Sequence, residues 1–202
     1  MAERDGRLIE VPGVWLDLDA YSDAYDDAYE NIVFRKLERR QHYREPGVPS
    51  WEAFATGDWA RAIELNERER GAVADKVAED ARLGVESRRV RIVEKPITAY
   101  IQWEMQYFRL LAEAGESIRV VDADQVRRWE SAGPVPEMVV LGDRVLFEVV
   151  YDAAGTATGA RRVDDPAVIR AAAAEIEELH AGGESLLEFY RREIATLPPP
   201  TV

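Results

Sequence analysis

The 202-residue chain contains no cysteine and only two histidines, His42 and His180. Without cysteine the chain can form no disulfide, thiolate metal site, thiol nucleophile or cysteine-ligated iron–sulfur cluster. Neither histidine belongs to a recognisable triad, and the chain has no G-x-S-x-G elbow and no phosphate-binding loop. Any enzyme chemistry would therefore have to use carboxylate, tyrosine or arginine side chains.

Positive charge and long apolar runs are also scarce. The chain has 26 Lys and Arg residues against 39 Asp and Glu residues, which gives a formal charge of -13. Such a surface repels nucleic acid phosphates and anionic lipids. No window approaches the roughly 18 consecutive apolar residues of a membrane span. We therefore expect a cytoplasmic protein that binds neither nucleic acid nor membrane directly, and we expect no cofactor.

The order of strand and helix patterns predicts an α+β fold. Residues 88–93 alternate as a strand, residues 96–115 have helical periodicity, and residues 118–121 return to strand, which together make a parallel strand-helix-strand unit. Three further strands form an antiparallel meander around two turns, at Gly142-Asp143 and at residues 152–155. We expect a mixed sheet of about five strands packed by helices.

We divide the chain into a helical N-terminal region, residues 1–84, and an α+β core, residues 85–197, in one compact unit. A helix is expected to begin near Asp58, and its polar middle, residues 66–70, is either a break between two helices or an exposed arm. The last long helix is expected to begin at Asp165-Pro166, because an aspartate cap is followed there by a first-turn proline.

Three tyrosines, Tyr21, Tyr25 and Tyr29, recur every fourth residue among aspartates and form a ridge on a predicted helix. The acidic segment at residues 17–22 lacks the third oxygen ligand and the glycine of a calcium loop, so we expect no metal site. The favoured interpretation is a helix that docks its tyrosines and presents its carboxylates to water. The alternative is an aromatic contact in a homodimer.

Glu104 lies in the apolar stripe of the predicted helix at residues 96–115, where the periodicity calls for a core side chain. A buried carboxylate requires a partner, a proton or a function. Three interpretations stay open: an ion pair with an arginine, an edge position that reaches water, and a functional site. Strand alternation places Arg91 and Arg119 opposite the apolar side chains of their strands. If the helix covers that apolar face, only an edge group such as Arg88 can reach Glu104.

The candidate site residues surround Glu104. Arg89, Arg91 and Arg119 could project from one sheet face and bind a phosphate or carboxylate, although they could equally pair with the surplus acids. Tyr100, Trp103 and Tyr107 flank Glu104 on its helix and could line a pocket for a planar or anionic ligand, although such aromatics are more often core. In a catalytic protein, Glu104 would be the general acid or base, assisted by Tyr100.

Six segments together resemble a known family: residues 34–38, 88–93, 96–104, 114–120, 142–145 and 164–166. They resemble an actinobacterial family of domains of unknown function whose genes often stand beside helix-turn-helix regulators. The element order is also similar to one half of a phospholipase-D-type domain. That family's histidine, followed two residues later by lysine, is missing here, since His42 and His180 precede Arg44 and Gly182 in this spacing. The resemblance therefore implies no phosphodiesterase chemistry.

From these observations we expect a non-catalytic regulatory protein of the bacterial cytoplasm. It would bind a protein partner, which the resemblance suggests is a helix-turn-helix regulator, or a small anionic ligand. Two alternatives stay open. One is an enzyme of specialised metabolism that acts on a small anionic substrate through carboxylate, tyrosine and arginine chemistry. The other is a structural homodimer.

Overall fold

An eight-stranded mixed sheet forms the centre of the computed structural model, which describes residues 12–130 and 133–201. The strands are β1 (Val14–Leu16), β2 (Val33–Glu38), β3 (Glu86–Val93), β4 (Ser117–Asp122), β5 (Met138–Leu141), β6 (Val145–Tyr151), β7 (Ala157–Val163) and β8 (Glu184–Ser185). Their order across the sheet is β1-β7-β6-β5-β2-β3-β4-β8. Strands β2, β3 and β4 are parallel, and the other neighbouring pairs are antiparallel.

Helices cover both faces of this sheet. They are α1 (Leu18–Ala28), α2 (Pro49–Ala55), α3 (Trp59–Arg68), α4 (Arg70–Arg82), α5 (Ala99–Ala114), α6 (Pro166–Gly182) and α7 (Leu186–Phe189), which continues into a π turn at Tyr190–Ile194. The carboxylate of Asp165 accepts the N–H groups of Ala167 and Val168, which confirms the predicted start of α6. The polar stretch at residues 66–70 contains a helix break, because α3 ends at Arg68 and α4 begins at Arg70. In the described ranges, no helix combines the length and apolar character needed to cross a bilayer.

The α+β class and the mixed sheet are confirmed, but the prediction of about five strands is wrong, because the sheet has eight. The three additional strands are β1, β2 and β8. Strands β1 and β8 have three and two residues, too few for a periodic pattern. Strand β2 has the sequence VFRKLE, in which only Lys36, Leu37 and Glu38 alternate, and it lies between β5 and β3. The region before residue 85, predicted as helical, thus supplies two strands as well as four helices.

The sheet has two differently covered faces. The α6 face carries apolar side chains of the central strands, including Leu37, Val90 and Ile92, and packs against α6. The α5 face carries the side chains of Arg91 and Val120, which are paired in register, and packs against α5. Successive side chains of a strand point to opposite faces. The register therefore determines whether each side chain of β2, β3 and β4 faces α5 or α6.

Helix α1 docks on the same sheet through its tyrosines. The ring of Tyr21 lies 5.0 Å from that of Phe147, and the ring of Tyr29 lies 5.9 Å from that of Phe34 (centroid distances). The side chain of Asp17 caps the helix by accepting the N–H of Ala20. The docking interpretation is confirmed for this helix, and the homodimer stays a prediction.

Candidate functional site

Four charged side chains form a block in the middle of the α5 face. Lys36 and Glu38 of β2 pair in register with Arg89 and Arg91 of β3. The Nζ of Lys36 lies 2.8 Å from Oε1 of Glu38, and Nη1 of Arg89 lies 3.0 Å from its Oε2. Burial alone would raise the pKa of Glu38, but Lys36, Arg89 and Arg91 together lower it to about 2. Glu38 is therefore ionised at neutral pH.

Glu104 of α5 is bound by Arg91. The Nε of Arg91 lies 2.7 Å from Oε2 of Glu104, and Nη1 donates to the main-chain carbonyls of Glu38 and Ile92. The side chain of Arg91 is 0% exposed. The ion-pair interpretation of Glu104 is confirmed, and the condition under which only an edge group could reach it does not hold. Helix α6, not α5, covers the apolar face of β3, which leaves α5 on the face that carries Arg91.

The hydroxyl of Tyr100 connects Glu104 with a second carboxylate. It forms a short hydrogen bond with Oε1 of Glu45 and lies 3.3 Å from Oε1 of Glu104. A phenol has one proton, so it can donate to only one of these carboxylates, and the other contact requires a proton on the carboxyl group. Burial raises the pKa of Glu104 to about 7, against the attraction of Arg91. Glu104 can therefore supply that second proton near neutral pH.

A cavity of about 480 Å³ opens beside these groups. Its charged lining residues are three carboxylates, Glu38, Glu45 and Glu104, and three cations, Lys36, Arg44 and Arg89, and six of the other ten residues are aromatic. The aromatic lining residues are Tyr43, Tyr100, Trp103, Tyr107, Phe108 and Tyr151. We call this space the tyrosine–glutamate cavity. Helix α5 forms one wall, the segment after β2 forms the rim, and the end of β6 contributes the ring of Tyr151.

Five of the seven candidate residues line this one cavity: Tyr100, Glu104, Arg89, Trp103 and Tyr107. Arg91 lies against Glu104 without being among the lining residues. Arg119 is separate, because it pairs in register with Val90 and so points to the α6 face. The prediction that Arg89, Arg91 and Arg119 share one sheet face is therefore wrong. Arg119 lies on the face of Val90, whereas Arg89 and Arg91 lie on the opposite face.

The charge of Arg89 is already matched within the chain. Its Nε lies 2.8 Å from Oε1 of Glu116, and its Nη1 binds Glu38. The side chains of Glu38 and Glu116 are 8% and 6% exposed. The alternative in which this arginine pairs with the surplus acids is confirmed.

Sequence reasoning missed the residues of the rim and of β6, namely Tyr43, Glu45 and Tyr151. Tyr43 and Glu45 lie on the segment that follows β2. The available signal was short, because only residues 36–38 alternate. Recognising β2 as a parallel strand would have placed its continuation at the carboxyl end of the sheet. Ligands of α/β sheets commonly bind at that end.

The rim segment is held in place by a buried carboxylate. Oε1 of Glu137 accepts the main-chain N–H groups of Arg39 and Arg40, at 2.9 and 2.6 Å, and Oε2 accepts the hydroxyl of Tyr43 at 2.6 Å. Burial raises the pKa of Glu137. The three donors fix the chain as it leaves β2, and they orient the ring of Tyr43 at the cavity wall.

The histidines lie at two separate places. The His42 ring meets that of Tyr100 edge-on at 5.4 Å. His180, at the end of α6, has Nε2 at 3.0 Å from Oγ of Ser117. Within residues 12–130 and 133–201, no group of three or more His, Asp or Glu side chains is placed to hold a metal ion.

Comparison with known proteins identifies the family. No curated protein and no solved structure shows significant similarity to the chain. A family profile, described as Domain of unknown function (DUF6879), matches residues 21–191. This range contains every residue that lines the tyrosine–glutamate cavity. The chain therefore belongs to this family of domains of unknown function.

Proposed function

We propose that this protein is a non-catalytic regulatory protein of the bacterial cytoplasm that holds a small organic molecule in the tyrosine–glutamate cavity. The cavity itself carries the proposal. Its volume of about 480 Å³ falls in the range of small-molecule sites, roughly 300–1,000 Å³. Such sites combine aromatic walls with a few converging polar groups, as this one does.

The engagement of Glu104 favours binding over catalysis. A general base needs an oxygen within hydrogen-bond reach of the substrate proton. Here Oε2 is bound by Arg91 and Oε1 faces the hydroxyl of Tyr100. The resemblance to a phospholipase-D-type half-domain adds no chemistry, because the required histidine and lysine are missing.

The regulatory part of the proposal concerns the rim. Residues 46–48 are exposed and lie beside Glu45, which is hydrogen-bonded to the cavity wall through Tyr100. A ligand that contacts Glu45 would change the conformational freedom of this segment. We propose that a protein partner reads that change. The gene-neighbourhood resemblance suggests that this partner is a helix-turn-helix regulator, in an actinobacterial setting.

Ligand binding is tested directly on the purified full-length chain. Native mass spectrometry is expected to detect a co-purified molecule, and a thermal-shift screen of metabolites is expected to find stabilising compounds. Tyr107→Ala removes part of the cavity wall and is expected to weaken binding at least tenfold. Tyr29→Ala is the matched control, since it also removes a half-buried tyrosine ring but lies outside this cavity.

The proposal fails if the screen and the mass spectrum show no ligand, or if both variants weaken binding equally. In that case the cavity is a packing defect or the effect is general destabilisation.

An enzyme of specialised metabolism is the second candidate, and the chain of groups from Glu104 through Tyr100 to Glu45 favours it. A carboxyl group with a pKa of about 7 is suited to proton transfer at neutral pH. The test is turnover of any compound found in the screen. Loss of turnover in Glu104→Gln, with an unchanged circular dichroism spectrum, would replace the non-catalytic proposal.

A further inference from the structure

We infer that the ligand of the tyrosine–glutamate cavity is an organic cation, an amine that carries a planar ring, with Glu45 as its counter-ion. This inference rests on the proposed function and specifies its ligand class. It departs from the anionic ligand that the arginines suggested from sequence alone.

The arginines near the cavity have little capacity left for an anion that enters it. Nη2 of Arg91 is buried without a hydrogen-bond partner, but Arg91 is fully buried and is not among the residues that line the cavity. Arg89 is bound by Glu38 and Glu116, and Arg91 is bound by Glu104. Lys36 is bound by Glu38. An incoming carboxylate or phosphate would have to displace these buried acids from their partners, which leaves a buried charge unpaired at a cost of several kcal/mol.

Glu45 is the carboxylate that remains available. Its Oε1 accepts the hydroxyl of Tyr100, and among the residues that the structure describes no lysine or arginine forms an ion pair with it. The rim cation Arg44 lies instead over the ring of Trp51, at 5.9 Å. A ligand cation in the cavity would therefore meet a half-buried carboxylate without competing with an existing ion pair.

Tyr151, at the cavity wall, also lies near carboxylates. Burial is the main reason that its pKa is raised, and the carboxylates of Glu137, Glu38 and Glu45 raise it further. Each of these acids disfavours a second negative charge at this wall. The guanidinium of Arg40 already lies over the Tyr151 ring, 5.2 Å from its centroid, which shows that this wall accepts a cation.

The aromatic walls suit a cation with a ring. The rings of Tyr43 and Tyr100 meet at 5.5 Å with an angle of 66°, and those of Tyr100 and Trp103 meet at 5.4 Å with an angle of 55°. These contacting rings form one wall of the cavity. A cation over an aromatic face gains on the order of 0.5–2 kcal/mol, and a planar ring can pack between the walls.

The test uses three probes of one shape and different charge: phenethylamine, 2-phenylethanol and phenylacetate. Their affinities for the full-length chain are measured by isothermal titration calorimetry at pH 7.5. Phenethylamine is expected to bind at least tenfold more tightly than either of the others. Glu45→Gln keeps an oxygen that accepts the Tyr100 hydroxyl but removes the charge, and it is expected to weaken phenethylamine at least fivefold. Glu64→Gln, an exposed acid on α3, is the matched control and is expected to change nothing.

A second measurement depends on Glu104. A bound cation favours the ionised form of this carboxyl group, so phenethylamine binding at pH 6 to 7 is expected to release protons. The release appears as a dependence of the binding enthalpy on the ionisation enthalpy of the buffer, and Glu104→Gln should abolish it. This variant separates electrostatic coupling from a loss of fold, because its thermal transition is recorded in parallel.

Two results overturn the inference: phenylacetate binding as tightly as phenethylamine, or Glu45→Gln leaving amine affinity unchanged. If none of the three probes binds, the inference also fails. The proposed function then survives if the metabolite screen yields neutral or anionic ligands that Tyr107→Ala weakens, and it fails with the inference if the screen is empty.

Discussion

On the α6 face the central strands present Leu37, Val90 and Ile92 to an apolar helix, whereas on the α5 face they present Glu38 and Arg91 to a different helix. Each buried aliphatic side chain on the first face stabilises the fold by about 1.5–3 kcal/mol without any directional requirement. Buried charges on the second face stabilise nothing unless each is paired in good geometry. The α6 face of these strands therefore stabilises the fold, whereas the α5 face requires one specific arrangement of its charged side chains.

Ion pairs occur on both faces, but their exposure differs. On the α6 face Arg35 and Arg88 both bind Glu177, at 2.7 and 2.8 Å, and the Glu177 side chain is 30% exposed. On the α5 face the Arg91 and Glu104 side chains are 0% and 6% exposed. Water reaches Glu177 directly, whereas Arg91 is fully buried and Glu104 meets solvent only where it lines the cavity. The comparison therefore predicts that equal substitutions on the two faces have unequal effects.

The largest difference is expected between Arg91→Ala and Arg88→Ala. Arg91→Ala leaves Glu104 and Glu38 buried without one of their cations, so we expect a loss of about 3–5 kcal/mol in the free energy of unfolding. Arg88→Ala removes an arginine of the same strand on the other face, where we expect about 0–1 kcal/mol. Urea denaturation at pH 7 measures both. Similar losses for the two variants would break the comparison.

The next effect is the pH dependence that Glu104 gives to the α5 face. Glu104 has an ordinary pKa of 4.5 and a folded pKa of about 7, so the folded state binds this proton more tightly than the unfolded state. The resulting stabilisation is complete below about pH 4.5 and is lost as the pH rises through 7. We expect a loss on the order of 2–3 kcal/mol between pH 4.5 and pH 8. Glu104→Gln should remove this slope in denaturation profiles.

The control for this slope is Glu177→Gln on the α6 face. Burial would raise the pKa of Glu177, but Arg35 and Arg88 lower it below 4.5. Its contribution is therefore present above pH 4.5 and is lost only as the pH falls further, so Glu177→Gln should keep the wild-type slope between pH 4.5 and pH 8. Identical slopes for the wild type and Glu104→Gln in this range would show that Glu104 stays ionised beside Arg91.

The two faces also differ in how much the sequence predicts. The strand β3, the helix α5 and the start of α6 follow from local signals: alternation, helical spacing and the cap at Asp165. The anomaly of Glu104 is a local signal too, and it led to the cavity. The partner of Glu104 is not local, because it depends on which face of β3 each helix covers. Helix α6 decides that, and it begins more than 60 residues later in the chain.

Strand β2 escaped prediction for a related reason. Its residues Lys36 and Glu38 read as polar positions that face solvent, since charges in an alternating pattern normally lie on the exposed face. In the fold Glu38 is covered, because Lys36 of its own strand and Arg89 and Arg91 of the neighbouring strand supply the opposite charge. Single-strand patterns cannot reveal a cross-strand pairing of this kind.

A smaller effect is expected at the hydroxyl of Tyr100, inside the α5-face network. Tyr100→Phe removes the group between Glu45 and Glu104, and we expect a loss of about 1–2 kcal/mol. Tyr107→Phe is the matched control, because this tyrosine lines the same cavity but its hydroxyl forms no hydrogen bond to the residues described by the structure. Thermal denaturation at pH 7 compares them. Equal losses would mean that cavity polarity, not the Tyr100 bridge, matters.

The smallest effect is expected for Glu177→Ala, which removes the acid shared by Arg35 and Arg88. Both arginines keep access to water, and Arg88 also contacts Glu86, so neither is left buried and unpaired. We expect about 1 kcal/mol or less in urea denaturation at pH 7. A loss above about 2 kcal/mol would mean that the α6 face also depends on its charges. The two faces would then differ only in how strongly they depend on ion pairs. In that case the burial of an ion pair would not predict its contribution to the free energy of unfolding.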